Sequence, residues 1–133
     1  MRVANNRSEY LAIVLVGGVA LILLVHFLRD NFNHAPAVSY LLGVAPNFIA
    51  SFTFPVAFIS AKKRAGWLIG PVSDGAWFLG STLLTLAVVV AWEFRQVHLT
   101  NFVFDPGDIG ASVIGAVLFL CCWPIVRRFM SAA

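Results

Sequence analysis

Four long apolar runs, separated by short polar segments, dominate the pattern along this chain. They cover about residues 10–28, 37–59, 75–96 and 109–126. A helix needs about 20 apolar residues to cross the hydrocarbon core of a bilayer, and each run approaches or exceeds that length. The pattern predicts an all-α fold, a four-transmembrane-helix bundle formed by residues 1–133 as one integral membrane domain.

Helix-breaking residues mark the ends of these runs and interrupt two of them. The second run contains Pro46 and Pro55, and neighbouring helices in a membrane can satisfy the backbone groups that a proline frees. The segment GPVSDG precedes the third run and predicts a helix start after it. The fourth run is uninterrupted as far as Pro124.

The composition supports a membrane protein and argues against other classes. The chain is 60% hydrophobic and only 11% charged, with a mean hydropathy of +0.89, which excludes an ordinary soluble domain. Nine basic residues against six acidic ones do not form a basic face interleaved with aromatic residues, so we expect no nucleic-acid partner. We interpret the adjacent Cys121 and Cys122 as small buried apolar residues.

No spacing in the sequence predicts a cofactor, a metal site or a catalytic residue. His26, His34 and His98 are too scattered for a metal-binding motif. There is no glycine-rich phosphate loop and no nucleophile motif, and we therefore regard an enzymatic role as the weaker interpretation.

The basic residues predict how the helices are oriented. With both termini in the cytoplasm, the cytoplasmic segments hold seven basic residues, namely Arg2, Arg7, Lys62, Lys63, Arg64, Arg127 and Arg128. The opposite side holds only Arg29 and Arg95. Because cytoplasmic loops of membrane proteins carry an excess of Lys and Arg, this arrangement places the segment from Trp92 to Ala116 on the outer side of the membrane.

One face of the third predicted helix is polar. At about 100° per residue, six side chains fall within an arc of about 120°: Asp74, Ser81, Thr82, Thr85, Glu93 and Gln96. Ionisable groups are expensive in lipid, so this face is expected to turn towards the bundle interior. For the three hydroxyl residues we expect hydrogen bonds to other helices, which are commonly weak.

Glu93 and Gln96 form the sharper candidate because their i, i+3 spacing puts them on one face near a helix end. Such a pair is suited to binding a cation, an amine or a hydroxyl group. The alternative is an ordinary interfacial helix end, in which Glu93 pairs with Arg95 or His98.

The segment DPGD leads into the fourth run. Asp105 before Pro106 predicts a turn, and Asp108 predicts a helix cap that is compatible with a second role in ligand binding. The following GASVIGA sequence has small residues at four-residue spacing, which predicts close approach to another helix. A homo-oligomer through the Gly110–Gly115 face is one form of that approach.

In the second run Asn47, Ser51 and Pro55 recur every four residues and share a face. Asn47 follows Pro46, which predicts that its amide bonds to backbone groups freed by the proline. Participation of Asn47 in a ligand site is the alternative.

These motifs resemble the VanZ-like family of small polytopic bacterial membrane proteins. The resemblance covers about half the chain: Glu93 and Gln96 ending one span, then Asp108 and Gly115 in the next, with Asn47, Phe54 and Pro55 resembling an earlier element. Ser112 stands where the family usually has Asn. The resemblance implies a multi-pass membrane protein with an outward-facing polar cluster, and the family's named member is associated with resistance to the glycopeptide teicoplanin.

The favoured hypothesis is a binding protein whose ligand site comprises Asn47, Glu93, Gln96, Asp108 and Ser112. Its partners would be membrane lipids, with a lipid headgroup, a lipid-linked envelope precursor or a small molecule as ligand, and its effect would be on envelope or glycopeptide-antibiotic susceptibility. The alternatives are a small proton-coupled transporter or exporter, or a non-catalytic assembly subunit of the membrane.

Overall fold

The computed structural model describes residues 3–62, 72–96 and 104–130, and these form helices and short connections without any strand. The helices are α1 (Val3–Asn31), α2 (Pro36–Thr53), α3 (Pro55–Ser60), α4 (Asp74–Gln96), α5 (Pro106–Cys121) and α6 (Trp123–Met130). The prediction of an all-α protein is thereby confirmed.

Three segments are long and apolar enough to cross a membrane, which indicates a membrane protein. They are Glu9–Asn31, Pro36–Ser60 and Asp74–Gln96. The second segment combines α2 and α3, which are separated only by a turn at Phe54 before Pro55. Pro46 lies within α2 without ending it.

The fourth apolar run departs from the single helix predicted over residues 109–126. Helix α5 begins at Pro106 and ends at Cys121, so it is shorter than the other three segments, and α6 follows from Trp123. The break precedes Pro124, which has no N–H for the carbonyl of Leu120 four residues earlier and whose ring would clash with that carbonyl in a continuous helix. The chain therefore turns at Cys122 instead of continuing as one helix.

Helices α2 and α5 form the most extensive helix pair, and a glycine allows their close contact. A Cβ atom on Gly115 would lie 2.5 Å from the backbone oxygen of Phe48 in α2, so no larger residue fits there. Ser112 and Ala116 on the same side of α5 are also buried. The predicted close approach of the GASVIGA segment is confirmed, and its partner is α2 of the same chain. Gly110 faces open space, and a homo-oligomer through this region stays a prediction.

Helix α1 lies at the edge of the bundle. It packs on α2 and α3, and Gly18 is its one buried residue among those whose burial is described. A Cβ on Gly18 would clash with the Thr53 side chain of α2. The rest of α1 presents apolar side chains such as Leu23 and Phe27 on its exposed surface, as expected of a helix surrounded by lipid.

One end of the bundle is closed by apolar and aromatic packing. Val56, Ile59, Phe78 and Phe119 form a buried core. The rings of Phe78 and Phe119 stack with centroids 5.1 Å apart, and Trp123 of α6 lies 4.7 Å from Phe78. At the same end, Lys62 and Asp74 form an ion pair.

The two cysteines do not occupy the buried positions predicted for them. Cys121 is exposed, Cys122 is half-buried, and both are free thiols. The prediction equated apolar character with burial. In a membrane bundle the lipid-facing surface is also apolar, so a small apolar residue is equally stable there.

Candidate ligand-binding site

Glu93 is the centre of the only carboxylate–amide hydrogen-bond network that the described residues form. Its side chain is 1% exposed, and it lies three residues before the end of α4. One carboxylate oxygen, Oε1, accepts hydrogen bonds from Asn47 Nδ2 and from Gln96 Nε2, each at 2.9 Å. Two neutral amides thus hold one oxygen of a buried acid in a fixed position.

Asn47 connects α2 to this network, contrary to the backbone role predicted for it. Pro46 lacks an N–H and so leaves a carbonyl one turn earlier without its usual donor. The Asn47 amide, however, projects from the face of α2 that meets α4, where it donates to a carboxylate oxygen of Glu93. The interpretation of Asn47 as a ligand-site residue is the one that agrees with the geometry.

Asn47 and Glu93 lie at different positions along their helices. Glu93 is close to the end of α4, whereas Asn47 lies near the middle of the Pro36–Ser60 segment. At 1.5 Å per residue, α2 continues for about 16 Å beyond Asn47 towards Pro36. The network is therefore flanked on one side by the first turns of α2.

Asp108 brings α5 into the cluster. It lies in the first turn of α5, where burial and, after it, the negative charge of Glu93 raise the pKa of its carboxyl. Arg29, at the end of α1, acts on the same carboxylate through its positive charge. We call Asn47, Glu93, Gln96 and Asp108 the carboxylate–amide cluster.

The helix cap predicted at Asp108 is instead provided by Asp105. Asp105 is the N-cap residue of α5, and its Oδ1 accepts a hydrogen bond of 2.7 Å from the Gly107 amide. The reason is Pro106, because proline is favoured at the first helical position and the residue before it then becomes the cap. Asp108 is left within the first turn of α5.

The predicted alternative in which Glu93 pairs with Arg95 is not observed. The Arg95 guanidinium lies over the ring of Trp92, 5.6 Å from its centroid, on the outer face of α4. His98 lies outside the described residues. Glu93 belongs to the interior, and its i, i+3 neighbour Gln96 is buried beside it.

The hydroxyl residues on the interior face of α4 do not join the cluster. Ser81, Thr82 and Thr85 are buried as predicted, but each hydroxyl donates to the carbonyl four residues earlier in α4. The expectation of interhelical hydrogen bonds was wrong for these three residues. A Ser or Thr hydroxyl in a helix reaches its own backbone without any change in helix packing, and this intrahelical bond is the one formed here.

Two serines lie between α2 and α5 next to the cluster. Ser112, a predicted site residue, is fully buried and donates to the backbone oxygen of Asp108 at 2.8 Å. Ser51 is also fully buried, one turn along α2 from Asn47, and its Oγ has no hydrogen-bond partner within the described ranges. Its four-residue spacing from Asn47 was visible in the sequence, but nothing there distinguished it from an ordinary packing serine.

Three polar atoms of this region are buried and unpaired within the part of the chain that the structure describes: Glu93 Oε2, Asp108 Oδ1 and Ser51 Oγ. Buried polar groups are normally satisfied, so each such atom calls for an explanation. Two of them are acceptor-only carboxylate oxygens when ionised, and the third both donates and accepts. The arrangement is suited to a group that donates hydrogen bonds.

The ligand set is unsuited to a multivalent metal ion. No group of three or more His, Cys, Asp or Glu side chains comes together within residues 3–62, 72–96 and 104–130. Ca²⁺ takes six to eight oxygen ligands, typically several of them carboxylate oxygens, whereas the cluster offers two acids.

Comparisons with known proteins place no further constraint on this assignment. No family model, curated protein or solved structure matches the chain. The functional argument therefore rests on the carboxylate–amide cluster and its surroundings.

Proposed function

We propose that this chain is a membrane-embedded binding protein whose carboxylate–amide cluster engages a lipid headgroup or a cell-envelope precursor. The observation that carries the proposal is the Glu93 carboxylate, which is 1% exposed, is fixed through Oε1 by two amides, and keeps Oε2 unpaired among the described residues. A rigidly held acceptor with spare capacity is what a binding site for a hydrogen-bond donor requires.

A purely structural role explains the cluster poorly. Removing a carboxylate from water costs several kcal/mol, and replacement of buried ionic groups by apolar residues is often neutral or stabilising. Acids inside membrane bundles are accordingly rare and mark functional sites. Stability alone would favour an apolar residue at position 93, and a ligand supplies the missing reason for an acid.

The position of the cluster favours binding over transport. Glu93 and Asp108 both lie near helix ends, whereas transporter sites usually lie near the bilayer midplane. The opposite end is filled by the packed rings of Phe78 and Phe119. The three hydroxyls between these regions each donate to a carbonyl of their own helix, so none of the three protons is directed at a second side chain along the way.

The distribution of basic residues supports an outward orientation of the cluster in a bacterial cytoplasmic membrane. Lys62 lies at the apolar end with Asp74, and the cluster lies at the opposite end of α4. Under the positive-inside rule the end bearing Lys62 is cytoplasmic, and the cluster then faces the outer leaflet. The resemblance to VanZ-like proteins agrees with this topology, and through it an effect on glycopeptide susceptibility is part of the proposal.

The direct test is mass spectrometry of the molecules retained by gently extracted protein. Wild type is compared with Glu93→Gln, which keeps the shape of the side chain but removes its charge. Asp74→Asn is the matched control, because it neutralises the acid at the other end of the same helix. Circular dichroism and size-exclusion chromatography establish that all three proteins fold equally.

We expect wild type and Asp74→Asn to retain a defined lipid or precursor that Glu93→Gln loses. Identical retained species in all three proteins would contradict the proposal and favour an assembly subunit. A pH-driven substrate flux in proteoliposomes that requires Glu93 would instead favour the transporter.

A further inference from the structure

We infer that the carboxylate–amide cluster recognises a primary ammonium group, as carried by an aminophospholipid headgroup or by a soluble amine. This inference rests on the proposed function and specifies its ligand class. It follows from which hydrogen-bonding atoms of the cluster are already used and which remain.

Each amide of the cluster directs one of its two N–H donors at the same carboxylate oxygen. Asn47 Nδ2 and Gln96 Nε2 both point to Glu93 Oε1. The Ser112 hydroxyl is likewise committed to the Asp108 backbone. An anionic ligand group would meet two carboxylates at short range, which electrostatics disfavours.

The atoms that remain are complementary to a cationic donor. Among residues 3–62, 72–96 and 104–130, Glu93 Oε2 and Asp108 Oδ1 are acceptors without a partner, and so is Ser51 Oγ one turn further along α2. A primary ammonium carries three N–H donors and one positive charge. Its charge offsets the repulsion between Glu93 and Asp108, and charge-assisted hydrogen bonds to carboxylates are stronger than neutral ones.

A second charge fits the remainder of a zwitterionic headgroup. Arg29 acts electrostatically on Asp108 from the end of α1, where its guanidinium also contacts Asp30 and His26, and its side chain is 41% exposed. A guanidinium is well suited to a phosphate. Carboxylates beside an exposed arginine thus match the ammonium and phosphate of an ethanolamine lipid in sign and in order.

The same argument excludes a quaternary ammonium. A choline group has the same charge but no N–H, and proteins recognise it with aromatic cages. The unpaired atoms of this cluster are oxygen acceptors instead. Discrimination between ethanolamine and choline is therefore the specific consequence of the inference.

The experiment uses the full chain in nanodiscs that contain equal amounts of phosphatidylethanolamine and phosphatidylcholine with identical acyl chains. Native mass spectrometry after release from the nanodisc measures which lipid stays bound. We expect wild type to retain the ethanolamine lipid over the choline lipid by about tenfold, the scale of one charge-assisted hydrogen bond. The preference should disappear in Glu93→Gln and in Asp108→Asn and persist in Asp74→Asn.

A second arm separates the two sources of the amine. Protein in nanodiscs of phosphatidylcholine alone is titrated with free ethanolamine or free choline while its thermal unfolding is followed. Stabilisation by ethanolamine at low millimolar concentration, without a lipid preference in the first arm, identifies a soluble amine. A lipid preference without that response identifies the headgroup.

The inference is overturned if wild type retains both lipids equally and neither soluble compound stabilises it. The wild-type comparison does not depend on any variant, so a variant that fails to fold does not obscure the answer. If wild type retains a molecule of another class and Glu93→Gln loses it, the proposed function stands and the ammonium specificity is wrong. If no retained molecule depends on Glu93, both are wrong.

Discussion

The interior of the bundle is filled in opposite ways at its two ends. At the aromatic end, formed by Phe78, Phe119 and Trp123, the rings fill the space between α4, α5 and α6. At the other end the carboxylate–amide cluster occupies the equivalent interior position with a buried acid, and carboxylate oxygens are left unpaired within the described residues. The first arrangement maximises packing, whereas the second packs less well but keeps acceptors for a hydrogen-bond donor.

This difference assigns separate roles to the two ends. Apolar contacts between rings stabilise the bundle in any ligand state, because dispersion contacts need no partner beyond the neighbouring side chains. A buried network that is only partly satisfied is costly, because an unpaired polar group in a low dielectric has lost its water. The aromatic end is thus expected to determine stability and the cluster to determine binding.

The largest expected effect comes from Gly115, which lies in the α2–α5 contact between the two ends. Gly115→Leu places a side chain where a Cβ is already 2.5 Å from the Phe48 backbone oxygen, so α2 and α5 must separate. We expect a loss of about 3 kcal/mol or more, at the upper end of typical overpacking costs, measured by reversible unfolding in mixed micelles. Gly110→Leu, where a Cβ meets nothing within 4 Å, is the matched control and should be near neutral.

Because the α2–α5 contact also sets the distance between Asn47 and Asp108, Gly115→Leu should abolish binding along with stability. A variant that keeps wild-type stability would show that the two helices do not touch at this glycine. A variant that loses stability and keeps binding would show that the cluster assembles without this contact.

The second prediction concerns the aromatic end alone. Phe119→Ala removes a ring that is 4% exposed and packed against Phe78. We expect a loss of about 2–3 kcal/mol, because a cavity on the order of 100 Å³ costs about 24 cal/mol per Å³ and the transfer term that water would add is small for a side chain that stays in an apolar medium. Phe27→Ala, which truncates a ring that is 55% exposed on α1, should cost far less. Equal losses in the two variants would contradict the location of the core.

Ligand retention distinguishes the two ends of the bundle more sharply than stability does. Phe119→Ala should retain the ligand whenever the protein is folded, because the ring makes no contact that the structure assigns to the cluster. Loss of the ligand at unchanged helicity would show that the two ends are coupled.

The third prediction concerns the carboxylate–amide cluster, where we expect binding to be lost even when stability is recovered. Glu93→Ala leaves the amides of Asn47 and Gln96 without their acceptor, which should cost about 1–2 kcal/mol, within the range for unsatisfied buried groups. Glu93→Met combined with Asn47→Leu removes the acid and one of the donors together. We expect this double variant to recover most of the lost stability and to bind no ligand. A double variant less stable than Glu93→Ala would mean that the network itself stabilises the bundle.

The sequence predicted the helical segments well because apolar length and helical period are local properties. The run at 75–96 predicted α4 to within one residue at its start. The run at 109–126 failed as a single helix because its break depends on one proline near the end of the run. The side chain of Cys121 was misplaced because an apolar residue in a membrane protein is suited both to the core and to lipid.

The site was predicted as a set of residues but not as a network. The polar face of α4 identified Glu93 and Gln96 from their spacing alone, and those two residues are hydrogen-bonded. The partner of Glu93 on α2 could not be derived, because the depth at which two helices pass each other is set by contacts such as Gly115 against Phe48. For the same reason the unpaired Ser51 hydroxyl was not recognised.

The smallest effect is expected at Asp74, the acid of α4 that lies outside the cluster. Asp74 pairs with Lys62 at the aromatic end, where both side chains are about one-third exposed. Asp74→Asn should change stability by no more than about 1 kcal/mol, because partly exposed ion pairs contribute little, and that difference should shrink further at high salt. Ligand retention should be unchanged. Since Asp74 and Glu93 are acids on the same face of one helix, a large effect of Glu93→Gln on binding beside a negligible effect of Asp74→Asn would assign the activity to the buried, amide-held carboxylate and exclude a general response to lost negative charge.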